Sequence, residues 1–548
     1  MGLETRYPEL TALIQFFEGE QEIEWKAHTV PFSQDIEVLY VYGFSPHIDP
    51  LMEWVNRDGK REIVFLEDRV EALKKIEEGP ADSILDHPQV QFRYYLGDLE
   101  LEEFISDVIR GFPFEKIGAV CLHNDLSKFE EIKKLLFRKA TVECALHTEM
   151  IYSHRLAKNL IKNFRKLPDA FHLGLWKDRF KDCPAIVCGA GPSLQTLQKE
   201  LKGVEDKALI LAGGSTINAL TAMNLMPHLI YAIDPNPEEF TRLAFQTAYN
   251  VPLIFGCRLE PGVFNSHAGP IGYLTTGTGG TLEQWMEEKL GIEDYQILKG
   301  LGEEALSITT IAFMTAIYFG CNPIILAGVD LAYDAGKRYS AGVISDLHCT
   351  LEEKSKKSGE AIWKEKELTT LTKWIMERDV LDEVCTHHPD TTFLKASSKG
   401  LPFKNIPYDS NWYKNLGPSR DIRNEIFSHV MDTPLPVQST NVEDSLSLFF
   451  TSMQTCKTLI AETIQELISL YPNIEGREST QKSTILEMDL EEEIAFQTSL
   501  KQSVYALTFQ VKRDHRPSNL PRNLYIIKLE VYKRLQAIIE QYLLLIAN

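Results

Sequence analysis

A chain of 548 residues, 44% hydrophobic and 25% charged, is globular in composition and long enough for three packed domains. Its formal net charge of -21 argues against nucleic acid or an anionic membrane surface as the main partner, because both need a basic face. Nine scattered cysteines without a CxxC pair, no apolar signal core and no run of about 18 apolar residues point to a reducing, cytoplasmic setting without a membrane span.

The first region, 1–165, opens with a strand over 36–42, a turn at 43–46 and a helix over 48–55. A strand over 62–66 follows and ends in Glu67 and Asp68, with further strands over 91–95 and 119–122. This is a Rossmann-like pattern, but its turn holds one glycine, so it does not predict a bound dinucleotide. In the second region, 166–431, apolar runs at 185–188, 208–212, 229–233, 253–256 and 324–327 read as buried strands. Helices are expected over 194–202, 217–225, 238–249 and 307–319. Such alternation predicts an α/β domain with a doubly wound, mostly parallel sheet. The third region, 432–548, follows a Pro-containing linker at 432–440. Apolar residues at helical spacing over 446–471 and 524–546 predict an α-helical region, with the acidic run 487–493 as a solvated face.

The strongest local signal is GAGPSL at 189–194, between a buried strand and a helix. Gly189 and Gly191 let the backbone approach a ligand, Pro192 suits a first helical turn, and Ser193 offers a hydroxyl to a phosphate at the helix start. Leu194 stands where the third glycine of GxGxxG would be, and no GxxxxGK[ST] occurs, which disfavours a P-loop NTPase. The next turn carries Gly213, Gly214, Ser215 and Thr216, with Asn218 placed to meet a base or ribose. Asp234 and Asn236 follow the third strand and alternatively form an Asx turn. The polar turn 275–281, with Thr276, Gly277 and Thr278, is a further candidate wall, and Ser307, Thr309 and Thr310 offer more hydroxyls. The last strand runs into Asp330, Tyr333, Lys337, Arg338 and Tyr339, an acid, two tyrosines and two cations that together suit a leaving phosphate. The two cations also read as exposed loop charges. His348 follows closely and is a candidate base. Cys385, His387, His388 and Asp390 match no zinc spacing, so no metal site is assigned.

CGAGPSL, AGGSTINAL, MPHLIYAIDPNP and GCNPIILAGVDLAYDAGKRYSAG, in that order, resemble the central domain of the motility-associated factor (Maf) proteins in the wider Maf/MptE-like family. TTFLKASSKGLPFKNIP at 391–407 resembles the segment that closes that domain, so the likeness spans about 180–410. The Maf layout, a Rossmann-like N-terminal domain and a helical C-terminal region, matches as well.

The resemblance implies a glycosyltransferase, similar in its central domain to bacterial sialyltransferases. It would move a nonulosonic acid from a CMP-activated donor to Ser/Thr of a flagellin-like protein, with no further cofactor. Carried over, Gly189, Gly191, Pro192, Ser193 and Leu194 would hold the nucleotide phosphate. Asn218, Asp234 and Asn236 would line the nucleotide-sugar site, and Asp330 and Tyr333 would sit near the reacting bond. Relatives often have a histidine where Tyr339 stands, which leaves Tyr339 and His348 as alternatives around the base. Two other readings stand beside this one: a 6-hydroxymethylpterin diphosphokinase using ATP and Mg²⁺, and an inactive relative that binds a partner protein.

Overall fold

The computed structural model describes residues 35–45, 47–72, 82–111, 116–299, 301, 307–343, 362–365, 367–469, 480–514 and 524–545. The chain forms two compact units, one from 1–148 with 505–530, the other from 149–504 with 531–548.

In the first unit, β1 (Val38–Tyr42), β2 (Glu62–Glu67), β3 (Val90–Tyr94) and β4 (Ile117–Cys121) form a parallel sheet in the order β3-β2-β1-β4. The parallel, helix-covered sheet is the Rossmann-like arrangement that the sequence predicts. β1 is apolar throughout because both its faces are covered. Leu39 and Val41 join Trp54 and Phe65 on one face, while Val38 and Tyr40 join Leu66 and Ile105 on the other. Trp54 comes from α1 (Asp49–Asn56), and Ile105 from α2 (Asp98–Gly111). The acid at the end of β2 serves the fold itself. Buried Glu67 accepts the Phe44 N–H at 2.7 Å and pairs with Arg69 at 2.8 Å, which pins the turn after β1. Asp68 accepts the hydroxyls of Tyr42 and Tyr95 at 2.9 and 3.2 Å. The helix α3 (Leu126–Ile151) ends this part of the chain.

The main sheet of the second unit has eight strands, all parallel. They are β5 (Ala170–His172), β6 (Ala185–Cys188), β7 (Leu209–Gly213), β8 (Leu229–Ala232), β9 (Leu253–Phe255), β10 (Ile271–Tyr273), β11 (Ile324–Ala327) and β14 (Phe393–Lys395). A small hairpin, β12 (Ile362–Glu365) with β13 (Leu368–Leu371), stands apart from the sheet. The sheet order is β14-β11-β6-β7-β8-β9-β10-β5. The five apolar runs found in the sequence are β6 to β9 and β11; β5, β10 and β14 are three residues each, too short to give a periodic signal. Helices α4 (Ser153–Phe164), α5 (Ser215–Ala222), α6 (Pro237–Ala244), α7 (Gly280–Leu290), α8 (Ile308–Tyr318) and α9 (Thr372–His387) accompany these strands. Where a helix was expected over 194–202, the chain makes a 3-10 helix, Pro192–Leu197, and then one short α-turn, Gln198–Lys202.

Beyond α10 (Ile422–Asp432) the described chain is helical, as expected: α11 (Ser439–Ser469), α12 (Gln481–Glu492), α13 (Lys501–Asp514) and α14 (Leu524–Leu544). The apolar stripe of α11, including Leu446, Phe449, Met453, Cys456 and Ile460, is buried. The eight described cysteines are free thiols. Among the described residues no helix is long and apolar enough to cross a membrane.

The ends of β6 and β11 pack tightly against each other. Gly328 has φ +71°, and a Cβ there would lie 2.5 Å from the Gly189 carbonyl oxygen and 2.6 Å from Leu194 Cβ. Gly336 has a similar φ of +78° with nothing within 4 Å of an added Cβ. Gly328→Ala therefore combines a left-handed backbone penalty with overpacking, roughly 2–4 kcal/mol, while Gly336→Ala carries only the first, about 1–2 kcal/mol. Denaturation midpoints of the two variants measure the difference; equal midpoints would mean that the β6–β11 contact is not tight.

Candidate functional site

β6 and β11 are neighbours in the sheet, yet the chain leaves β6 toward β7 and returns to β11 only after β7, β8, β9 and β10 have been laid on the other side. This is a topological switch point, where a crevice opens beyond the carboxyl ends of two strands. The 189–194 turn and the 328–330 turn meet there. Gly189 N–H donates to the Ala327 carbonyl at 2.8 Å, and Gly191 N–H to the Gly328 carbonyl at 2.8 Å. A Cβ on Gly191 would lie 2.6 Å from Asp330 Oδ2, so glycine is required for the carboxylate to come this close.

Asp330 is buried and faces the start of the 192–197 helix. The Ser193 N–H donates to Oδ2 at 2.7 Å and the Ser193 hydroxyl to Oδ1 at 2.5 Å. The anion at this helix start is thus the protein's own carboxylate. Burial pushes the Asp330 carboxyl above its ordinary range, and the bonds from Ser193 and the charge of Lys395 oppose that shift. The Lys395 ammonium is buried beside it and brought down to about 8. The 391–407 segment closes over this point. Leu401 N–H donates to the Asp330 carbonyl at 2.8 Å, and a Cβ on Gly400 would clash with that carbonyl oxygen at 2.2 Å.

A cavity of about 240 Å³ opens from the switch point. Its floor is Gly189, Ala190, Gly191 and the 328–332 turn; one wall is Gly213, Gly214, Ser215 and Thr216 with Asp234, Glu239 and Arg242. The rest of the lining is Ser307, Ile308 and Thr309 at the start of α8, Trp374 and Glu377 on α9, and Arg338 with Tyr339. Ser340 binds the 189–191 turn, donating its N–H to the Ala190 carbonyl at 2.8 Å and its hydroxyl to the Gly191 carbonyl at 2.5 Å. That contact brings Arg338 and Tyr339 to the cavity. The Arg338 guanidinium lies 4.9 Å from the Tyr339 ring and 5.4 Å from the Trp374 ring, which orders it by cation–π attraction.

Two helix starts border the cavity in different states. Ser307 caps α8 through a capping box with Thr310. The N-cap of α5 is Gly214, with φ +51° and no side chain to cap it. Two buried carboxyls stand nearby. Glu239 is pushed up to about 7 by burial and by the charge of Asp234, against Arg242, whose guanidinium bonds Glu239 at 3.0 Å and Asp234 at 2.9 Å. Glu377 is pushed up to about 6 by burial, against a 2.8 Å bond from the Ser307 hydroxyl.

Of the residues singled out in the sequence, Gly189, Gly191, Gly214, Ser215, Asp234, Asp330 and Tyr339 line this cavity together. Pro192, Ser193 and Leu194 lie behind its floor, with Ser193 and Leu194 fully buried. Asn218 is buried away from the cavity; its amide donates to the Arg242 carbonyl at 2.7 Å and so holds α6 against α5. Asn236 forms the Asx turn, donating N–H and amide to Asp234 at 3.0 and 2.7 Å. Thr276, Gly277 and Thr278 follow β10, three strands from β7, where the Thr276 and Thr278 hydroxyls bond each other at 2.7 Å. Tyr333 packs its ring 5.2 Å from Trp374 and donates its N–H to the Thr369 carbonyl at 2.8 Å. Lys337 is exposed, and His348 lies outside the described residues. Among the described residues, the only trio of metal-ligand types within reach of one another is Glu67, Asp68 and His123 in the first unit.

Sequence reasoning missed Glu239, Arg242, Trp374 and Glu377. Glu239 stands in the first turn of α6, where an acid is expected for the helix dipole alone. Trp374 and Glu377 come from a helix after the β12–β13 hairpin, far along the chain and without a motif.

Residues 158–336 match the family model described as 6-hydroxymethylpterin diphosphokinase MptE-like. The matched segment lies in the middle of the chain. It supplies every cavity residue named above except Trp374, Arg338, Tyr339 and Glu377. No curated protein matches the chain. A solved structure described as a MAf glycosyltransferase from Magnetospirillum magneticum AMB-1 is similar over 93% of this chain and 80% of that one, with a TM-score of 0.53 and 14% identity. At that identity the likeness is one of fold. It extends well beyond the MptE-like segment.

Ser193→Ala removes a bond to a buried carboxylate and destabilises the second unit by about 1.5–3 kcal/mol at neutral pH. The folded-state value of Asp330 is already raised, and losing the hydroxyl raises it further. The loss is therefore largest where Asp330 is ionised and shrinks as pH falls toward the ordinary carboxylate range of about 4. Urea titrations at pH 5 and pH 8 measure it; a penalty that is larger at pH 5 contradicts the assignment.

Proposed function

We propose that this protein is a glycosyltransferase that moves a nonulosonic sugar from a CMP-activated donor to a Ser/Thr hydroxyl of a flagellin-like protein. The observation that carries this reading is the cavity at the switch point, bordered by the uncapped start of α5 and by two guanidiniums. A helix start without a side-chain cap favours an anion, here the donor phosphate. Arg338 and Arg242 both line the cavity and supply positive charge to the departing nucleotide. The 189–191 turn forms the floor under the donor, and Ser193 acts through Asp330 rather than on the phosphate. The sugar and acceptor classes follow from the Maf resemblance, and the fold shared with a solved structure titled a MAf glycosyltransferase is consistent with them. No cofactor beyond the donor enters this reading.

The family model's description favours one other reading, pyrophosphoryl transfer from ATP to a hydroxymethylpterin. That chemistry uses Mg²⁺ held by carboxylates. In the cavity, Asp330 is bonded by Ser193, and Asp234 and Glu239 share one guanidinium of Arg242. These contacts suit a charge-paired wall better than a magnesium clamp.

CMP or a CMP-sugar at about 100 times its Kd is expected to stabilise the folded protein by about 2.7 kcal/mol, a rise of a few degrees in Tm, with no such effect from ATP and Mg²⁺. Differential scanning fluorimetry reads this directly. No protection by CMP or CMP-sugar, or AMP release from ATP in the presence of 6-hydroxymethylpterin, would overturn the transferase reading.

A further inference from the structure

We propose that Glu239 is the catalytic base of this site, taking the proton from the attacking hydroxyl through its Oε1 atom. The inference rests on the transferase reading and adds to it the residue that moves the proton.

Three buried carboxyls adjoin the cavity, and their bonding separates them. Asp330 has both oxygens engaged by Ser193. Glu377 accepts the Ser307 hydroxyl and so supports the start of α8. Glu239 gives one oxygen, Oε2, to Arg242 at 3.0 Å, while Oε1 is buried without a hydrogen-bond partner. The residue as a whole is 1% exposed, yet it lines the cavity. An unpartnered carboxylate oxygen in such a place costs about 1–3 kcal/mol unless something comes to bond it. Gly214 lies beside this carboxylate: a Cβ added there would stand 3.9 Å from both Glu239 oxygens. Because Gly214 is also the cap of α5, the carboxylate and the proposed phosphate position lie side by side at one helix start.

The charged groups facing Glu239 are Asp234 after β8 and Arg242 on its own helix. The packed elements α5 and 261–266 present no titratable side chain, and Glu260, just before the latter, is turned to the Gly262 N–H at 3.2 Å. Burial and Asp234 hold the Glu239 carboxyl near 7, a value suited to a base at neutral pH. In the reaction the acceptor O–H gives its proton to Oε1. Its oxygen forms the bond to the anomeric carbon, and the bond from that carbon to the phosphate oxygen breaks, with its electron pair leaving on CMP. Arg242 is a positioning residue, fixing Oε2 and leaving Oε1 toward the acceptor.

The test uses the full chain and CMP-N-acetylneuraminic acid, with water as acceptor and CMP release as the signal. Wild type is expected to gain rate as pH rises through about 7. Glu239→Gln should lower the rate by about 10²–10⁴-fold and abolish that rise, while CMP still binds and the circular dichroism spectrum stays unchanged. Glu239→Asp, which keeps the carboxylate, should recover part of the rate and of the pH dependence. An active wild type with Glu239→Gln within threefold of it, or with the pH rise intact in that variant, overturns the base assignment alone. A wild type that releases no CMP sinks the transferase reading and the base with it.

Discussion

The second unit is organised around the contact between the Asp330 carboxylate and the start of the 192–197 helix. A buried aspartate costs several kcal/mol if its charge is left unbonded, and a buried helix start leaves N–H groups unsatisfied. Each solves the other's problem through Ser193, at 2.7 and 2.5 Å. The approach works only because Gly191 and Gly328 lack side chains where the two turns touch. Once β11 is tied to β6 in this way, the chain after Asp330 folds back over the 189–191 turn. Ser340 fastens it there, and Arg338 and Tyr339 arrive at the cavity as a consequence. One charge-assisted contact thereby sets the floor of the crevice and delivers part of its wall.

The same contact explains what was legible in the sequence and what was not. Buried parallel strands are continuous apolar runs, so β6 to β9 and β11 could be read directly, and the glycine turns marked their carboxyl ends. Repeated strand–helix order then implied that several of those ends share a crevice. The direction of each side chain did not follow from that pattern. Asn218 and Ser193 carry the right chemistry for a ligand, but the Asn218 amide N–H donates to the Arg242 carbonyl and the Ser193 hydroxyl to Asp330. The 275–281 turn looks like the other glycine-bearing turns, yet β10 lies at the far side of β8 and β9, a distance that only the strand order reveals. Glu239 was hidden for the opposite reason. An acid in a first helical turn is so common that it carries no message until burial and an unpartnered oxygen distinguish it.

Charge decides how such a cavity can hold an anion. Four carboxyls, those of Asp234, Glu239, Asp330 and Glu377, surround it against the two guanidiniums of Arg242 and Arg338. Were all four acids ionised and unpaired, an incoming phosphate would be repelled. Asp330 is compensated by Ser193 and by the Lys395 charge behind it, and Asp234 by Arg242. Burial holds Glu239 near 7 and Glu377 near 6, so the proton affinity of both responds to a neighbouring anion. An anion settling at the start of α5 raises the proton affinity of Glu239 beside it. The donor thus makes Glu239 a stronger base at the position where the acceptor must lose its proton. Departure of the nucleotide phosphate reverses the effect and lets the proton go to solvent. Binding and proton transfer are coupled in this way at the wall beside Gly214.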